Sequence, residues 1–158
     1  MHMGRRTGAF FVSLLLLLTL AVSASAVTVK MNVGVRFWRE ASDKESMVDS
    51  AVDSAREATL TRQPNGTFTL ELPVKQVSSM NMTGCLTGIS IGEVNYSGIL
   101  SGDLNSGTAV LTIKNLPASV LTGSDSSKAL AVTCTIKMDT ILLGDISTSA
   151  RMAIWVNR

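Results

Sequence analysis

Few side chains in this sequence can do chemistry. The sole histidine is His2, so imidazole dyads and histidine metal sites are excluded from the rest of the chain. Asp43, Glu45, Asp49 and Asp53 crowd one polar stretch. Such a group makes either a loose cation site or a solvated helix face. No calcium-loop motif accompanies it, and the solvated face is the expectation. No spacing pairs two carboxylates for acid–base work, so we read no enzyme and no metal centre. Cys85 and Cys134 are the only cysteines. An oxidising compartment would allow them to pair; otherwise they are two buried thiols, since spacing does not fix a Cα separation. The last reactive type is a thioether. Met47 lies in DKESMVDSAV (Asp43 to Val52), which reads as one or two turns of helix in a chain of strands and turns.

The elements that would position these groups begin after a leader. Arg5 and Arg6 precede an apolar run from Ala9 to Val22, and Ala24-x-Ala26 has the small-residue form of a cleavage site. Residues 1–26 read as a secretory signal peptide, with an uncleaved membrane anchor as the alternative. Val27 to Arg158 then forms one domain without a further membrane span. Loss of Arg5 and Arg6 takes the basic count from 14 to 12, against 12 acids, so the mature chain is close to neutral. With no basic stripe, nucleic acid is not an expected partner.

Within the domain, Val27, Val29, Met31, Val33, Val35 and Phe37 alternate with polar residues, the period of a half-buried strand. Ala58 to Arg62 and Thr67 to Val74 flank Pro64-Asn65-Gly66, a hairpin turn. Further strand pieces are Ile89 to Ile91 and Val94 to Leu100, broken at Gly92. Others are the Ala109–Leu111–Ile113 face, the Leu130–Val132–Cys134–Ile136–Met138 face, and Ala150 to Asn157. Seven or eight short strands with Gly, Asn and Ser turns predict an all-β antiparallel sandwich carrying a short helical lip.

The run VGVRFWREASDKESM (Val33 to Met47) resembles the opening of near-iron-transporter (NEAT) domains, most closely the clostridial type. NGTFTLELPVKQVSSMNMTGCLTGI (Asn65 to Ile89) and ARMAIWV (Ala150 to Val156) are similar to later segments of that family. The resemblance implies an immunoglobulin-like sandwich on a Gram-positive surface, secreted or surface-held. It implies haem or haemoprotein capture in iron acquisition, with haem as the cofactor. Ser46 and Met47 match the lip over the porphyrin. Haem-binding members carry a tyrosine pair at positions that fall here on Ile146 and Ala150, so this chain departs from the pattern. Tyr96, its only tyrosine, lies elsewhere. Met47 and Met152 are then the candidate thioether ligands, against the alternative that both simply fill core space. The other reading is a protein-interaction module gripping a surface protein through Trp38 and Met47.

Overall fold

The computed structural model describes residues 27–140 and 144–158. The signal-peptide expectation therefore lies outside the described residues. Nine strands follow in order: β1 (Val29–Arg39), β2 (Ala58–Arg62), β3 (Phe68–Pro73), β4 (Val77–Ser79), β5 (Met82–Ile91), β6 (Val94–Ser101), β7 (Val110–Leu116), β8 (Leu130–Met138) and β9 (Asp145–Val156). The helical element between β1 and β2 is a single 3₁₀ turn, Met47–Ala51. Two further 3₁₀ turns, Ala118–Val120 and Ser126–Lys128, lie in the β7–β8 connection.

All pairings are antiparallel, and the sheet runs β5-β6-β7-β3-β2-β1-β9-β8. β8 then pairs back onto β5, from Gly84↔Met138 to Ser90↔Thr133. The expectation of a sandwich of separate sheets is thus met by one continuous sheet that closes into an eight-stranded barrel. Closure removes the free edges that two separate sheets would leave. β4 is a short flap that pairs with the start of β5.

The alternating faces point where the sequence places them. Leu70, Leu72, Leu111, Ile113, Ile136, Met152 and Ile154 are buried inside the barrel. Leu86, Ile136 and Ile146 form one inward row across β5, β8 and β9. The turn at Gly92 takes a positive φ of 59° and joins β5 to β6 as a hairpin.

Candidate functional site

Phe37 anchors the lip at the end of β1. Its main-chain N–H donates to Asp49 Oδ1 at 2.8 Å, and its carbonyl accepts from the Ser46 N–H at 2.9 Å. Ser46 is buried, and its hydroxyl oxygen caps the 3₁₀ turn by accepting from the Val48 N–H. Val48 and Ala51 point into the core, which leaves Met47 on the outer side, 48% exposed. The sequence pattern is sufficient for this: Ser at the cap, an apolar pair facing inward, and a flexible thioether facing out.

The four acids of this stretch do not form a cation site. Asp43 binds Arg151 at 3.0 Å, Arg56 binds Asp53 at 2.7 Å, and Glu45 lies 3.7 Å from Arg36. Asp49 is occupied with Phe37. Among the described residues no acid, histidine or cysteine group could hold a metal ion. Burial pushes the Asp49 carboxyl above its ordinary range, against the pull of the Phe37 N–H. The Arg151 hydrogen bond holds Asp43 below it, as Arg56 does for Asp53.

The candidate slot lies at this end of the barrel, where register leaves one edge of β9 without a strand partner. β1 pairs with β9 from Val33↔Val156 to Arg39↔Ala150 and stops there. β9 begins earlier, at Asp145, so its first residues pair only with β8. Their other edge has no strand partner at this end of the barrel, while the lip is bonded to the opposite edge of β1, at Phe37. Among the described residues the lip's principal neighbours are β1, β4 and β5, and the β8–β9 hairpin is not one of them. Ile146 and Thr148, both half-buried, face inward along this stretch, and Met138 sits on β8 opposite Gly84. The β4–β5 hairpin tip lies at the same end. Its Met80 is 89% exposed and holds a positive φ of 50°, a strained conformation for a non-glycine residue.

Of the residues singled out from the sequence, the structure brings Ser46, Met47, Ile146 and Ala150 to this end of the barrel. Ala150 is buried, and forms backing rather than surface. Met152 is a correction. It pairs with Phe37 deep in the barrel and is 0% exposed, so its sulfur is core filling and unavailable to a ligand at the slot. Trp38 faces the outer side of β1, half-buried, with the Arg36 guanidinium 5.5 Å above its ring.

Of the two alternatives left open for the cysteines, the structure has the buried thiols. Both are free thiols. Cys85 stands opposite Lys137, and Cys134 opposite Ile89, with a bulge at Thr87 between them. Cys134 points inward and Cys85 outward, so the sheet itself separates the sulfurs. Burial pushes the Cys134 thiol up to about 12 and raises Cys85 as well.

Arg151 is the residue that sequence reading missed. It donates to the carbonyls of Arg39, Ser42 and Ser126 and to Asp43, and so ties the loop before the lip to the β7–β8 connection. A lone arginine within an apolar strand, ARMAIWV, is the signal that was available.

No family model matches the chain, and no curated protein does. Solved structures do match. The fifth NEAT domain of IsdX2, a B. anthracis hemophore in complex with heme, is 11% identical at a TM-score of 0.50, covering 84% of this chain and 99% of that one. A mutant of the same domain, also in complex with heme, gives the same score and identity, covering 84% and 98%. The fold is NEAT-like. That likeness sets the arrangement of strands; what occupies the slot in this chain has to come from its own residues.

Proposed function

We propose that this NEAT-like domain is a non-enzymatic, secreted or surface-held module of a Gram-positive iron-acquisition system, of the clostridial type in its immunoglobulin-like fold. In this reading it captures haem, free or from a haemoprotein, in the slot between the lip and the β8–β9 hairpin. The observation that carries this is the register of β9. By outrunning β1 it leaves an inward apolar wall at Ile146 facing a lip that exposes Met47. The solved neighbours of the same fold, in complex with heme, support the assignment.

The residues present fit a porphyrin in part. Ile146 and the Ala150 backing give the slot an apolar wall, and the lip gives cover. Bound haem supplies an iron centre, and Met47 offers it a thioether. Ser46 and Asp49 hold the lip in place through Val48 and Phe37. No tyrosinate or imidazole stands at Ile146 or Ala150. Binding is therefore weak and favours the ferrous state, because soft sulfur suits the softer ion. Titration with haemin, before and after dithionite, gives a shifted Soret band with a thioether or water-ligated spectrum. The absence of a shifted band in either oxidation state sinks this reading.

One observation favours a second reading, in which Trp38 and Met47 grip a partner protein: the Met47 side chain is 48% exposed on the outer side of the lip. Processing belongs to the same proposal: cleavage after Ala26 leaves Val27 as the N-terminus, which intact-mass measurement of secreted protein checks.

A further inference from the structure

The chain has eight methionines; Met1 and Met3 lie outside the described residues, which leaves six. Four of these stand at one end of the barrel: Met47 on the lip, Met80 and Met82 on the β4–β5 hairpin, and Met138 at the end of β8. The other two lie elsewhere. Met152 is fully buried in the core, and Met31 pairs with Leu60 toward the opposite end of β1. Methionine commonly fills irregular core space. Met80 does not, since it is 89% exposed. It holds a φ of 50° in the two-residue turn between Ser79 and Met82, where Asn81 follows at 62°. Asparagine tolerates that region, and methionine occupies it at a cost.

Register brings two more thioethers to the same hairpin. Met82, Gly84 and Leu86 alternate onto the inward face of β5, where Leu86 is fully buried. Met138 stands opposite Gly84, and its sulfur lies 2.7 Å from where a Cβ on Gly84 would be. The missing side chain thus leaves room for that sulfur over β5. Met82 is the next inward residue of β5 toward the hairpin tip, and both methionines are half-buried. The strands stay joined at this level. The Asp139 N–H donates to the Thr83 carbonyl at 2.9 Å, and the Thr83 hydroxyl donates to the Asp139 carboxylate. Asp139 and Asp145 flank Lys137 here, and no salt bridge among the described residues involves either acid.

We propose that Met80, Met82 and Met138 form a binding site for Cu(I). Thioethers are soft, neutral donors that select this soft ion, whereas carboxylates and carbonyls suit magnesium and calcium. Met82 and Met138 offer two donors from paired strands. Met80 offers the third from the turn, where three side-chain torsions let its sulfur fold back over Met82. The strained backbone at Met80 is then the cost of carrying a thioether at a turn position. The Asp139 and Asp145 carboxylates offset the charge of the ion. This site borders the haem slot, takes no ligand from the lip, and does not rest on the haem reading.

The test is an anaerobic Cu(I) titration of the haem-free protein, isotopically labelled at its methionine methyl groups and read by NMR. One equivalent shifts the methyl signals of Met80, Met82 and Met138 and leaves those of Met31 and Met152 in place. Mg(II), an oxygen-seeking ion, moves none of them. Competition with the chelator bicinchoninate gives the affinity. It falls by about tenfold or more in Met82→Leu and Met138→Leu, at least the loss that outer-shell changes cause at metal sites. Leucine keeps the apolar volume, and a denaturation midpoint near that of the parent shows that the fold stands. Met80→Leu, at an exposed position, gives the same loss without touching the core. No methyl shift at one equivalent, a shift confined to Met47, equal shifts with Mg(II), or an affinity unchanged in any of the three variants overturns the proposal. With no haem present, a protein that fails to bind haem can still pass this test, and one that binds haem can still fail it.

Discussion

On one side of the lip β9 outruns β1; on the other, β1 outruns β2. Both openings arise because neighbouring strands of a closed barrel differ in length. Their linings differ. The first is bounded by Ile146, Thr148 and a thioether, the second by the Val35 main chain, the Trp155 indole and the Glu57 carboxylate. Strand length decides where a barrel wall opens, and the residues at the opening decide what enters. The apolar plate of haem suits the first in the proposed reading; the second is about one residue long, bounded by Ala58 opposite Val33 and by the lip at Phe37. The lip is common to both, because Phe37 is where it closes β1.

The largest effect comes from the floor between the openings. Met152 and Phe37 pair there, both fully buried. Met152→Ala leaves a cavity in a closed core and costs about 2–5 kcal/mol, read as a fall in denaturation midpoint. Haem affinity per folded molecule stays near that of the parent. A large loss of haem binding at constant folded fraction would place Met152 in the slot after all.

A smaller loss, confined to the lip side, follows Arg151→Ala. Four acceptors lose their donor, among them the Ser42 carbonyl and Asp43. The expected cost is about 2 kcal/mol, since hydrogen bonds to charged groups contribute more than neutral ones. Exchange of amides in residues 40–46 rises while that at Val35 is unchanged. Equal loosening of both openings would show that the lip holds them as one rigid unit.

How much of this was legible in the sequence depends on which half of a strand is considered. The inward faces of β3, β7 and β8 follow from alternation alone. The start of β9, Asp145 to Ser149, and the first part of β5, Met82 to Gly88, did not read as strand, and nor did β4. Ser147, Thr148 and Ser149 are polar throughout, and Gly84 carries no side chain, so the periodic signal is absent where one face is solvent or slot. The openings are made from those silent residues. The lip was legible because Ser46, Val48 and Ala51 combine a cap with a buried pair. The cysteine alternatives stayed open, because the faces of Cys85 and Cys134 depend on a bulge at Thr87 that the sequence does not signal. Barrel closure depends on β5 meeting β8, a pairing between distant segments.

Asp49 closes the lip onto β1, so changing it joins the two openings. Asp49→Ala leaves the Phe37 N–H without its acceptor and costs about 1 kcal/mol. The unpaired edge of β1 then extends from Val35 to Phe37, and Phe37 amide exchange rises. Asp49→Asn keeps an acceptor and removes the charge. Its effect has a definite pH sign. Burial raises the Asp49 pKa in the folded chain, so the folded state binds this proton more tightly than the unfolded state. The contribution to stability is fully present below the ordinary carboxylate value and is lost as pH rises from there through the raised value of the folded chain. Asp43, Asp53 and Glu71, lowered by Arg151, Arg56 and Lys30, act the other way and lose their contribution as pH falls. Asp49→Asn is thus more stable than the parent at neutral pH, and the gap closes below the ordinary value of 3.8. An Asn variant less stable at neutral pH would mean that the charge on Asp49 holds the lip.

The smallest effect on stability, and the sharpest on ligand, belongs to Met47. Its side chain is half exposed on the outer side of a turn held by Ser46, Val48 and Asp49. Met47→Ala removes little buried area, and an exposed substitution away from caps and cores changes stability by about 0.5 kcal/mol or less. The denaturation midpoint stays near that of the parent. Haem loses both a thioether and part of its cover, so the ferrous spectrum changes and affinity falls. Met47→Leu separates these two losses, because it restores cover without sulfur. Recovery of affinity with the altered spectrum assigns Met47 to the iron. Recovery of affinity together with the parent spectrum assigns the lip to cover alone and moves the thioether question to Met138, the half-buried methionine on β8 at this end of the barrel.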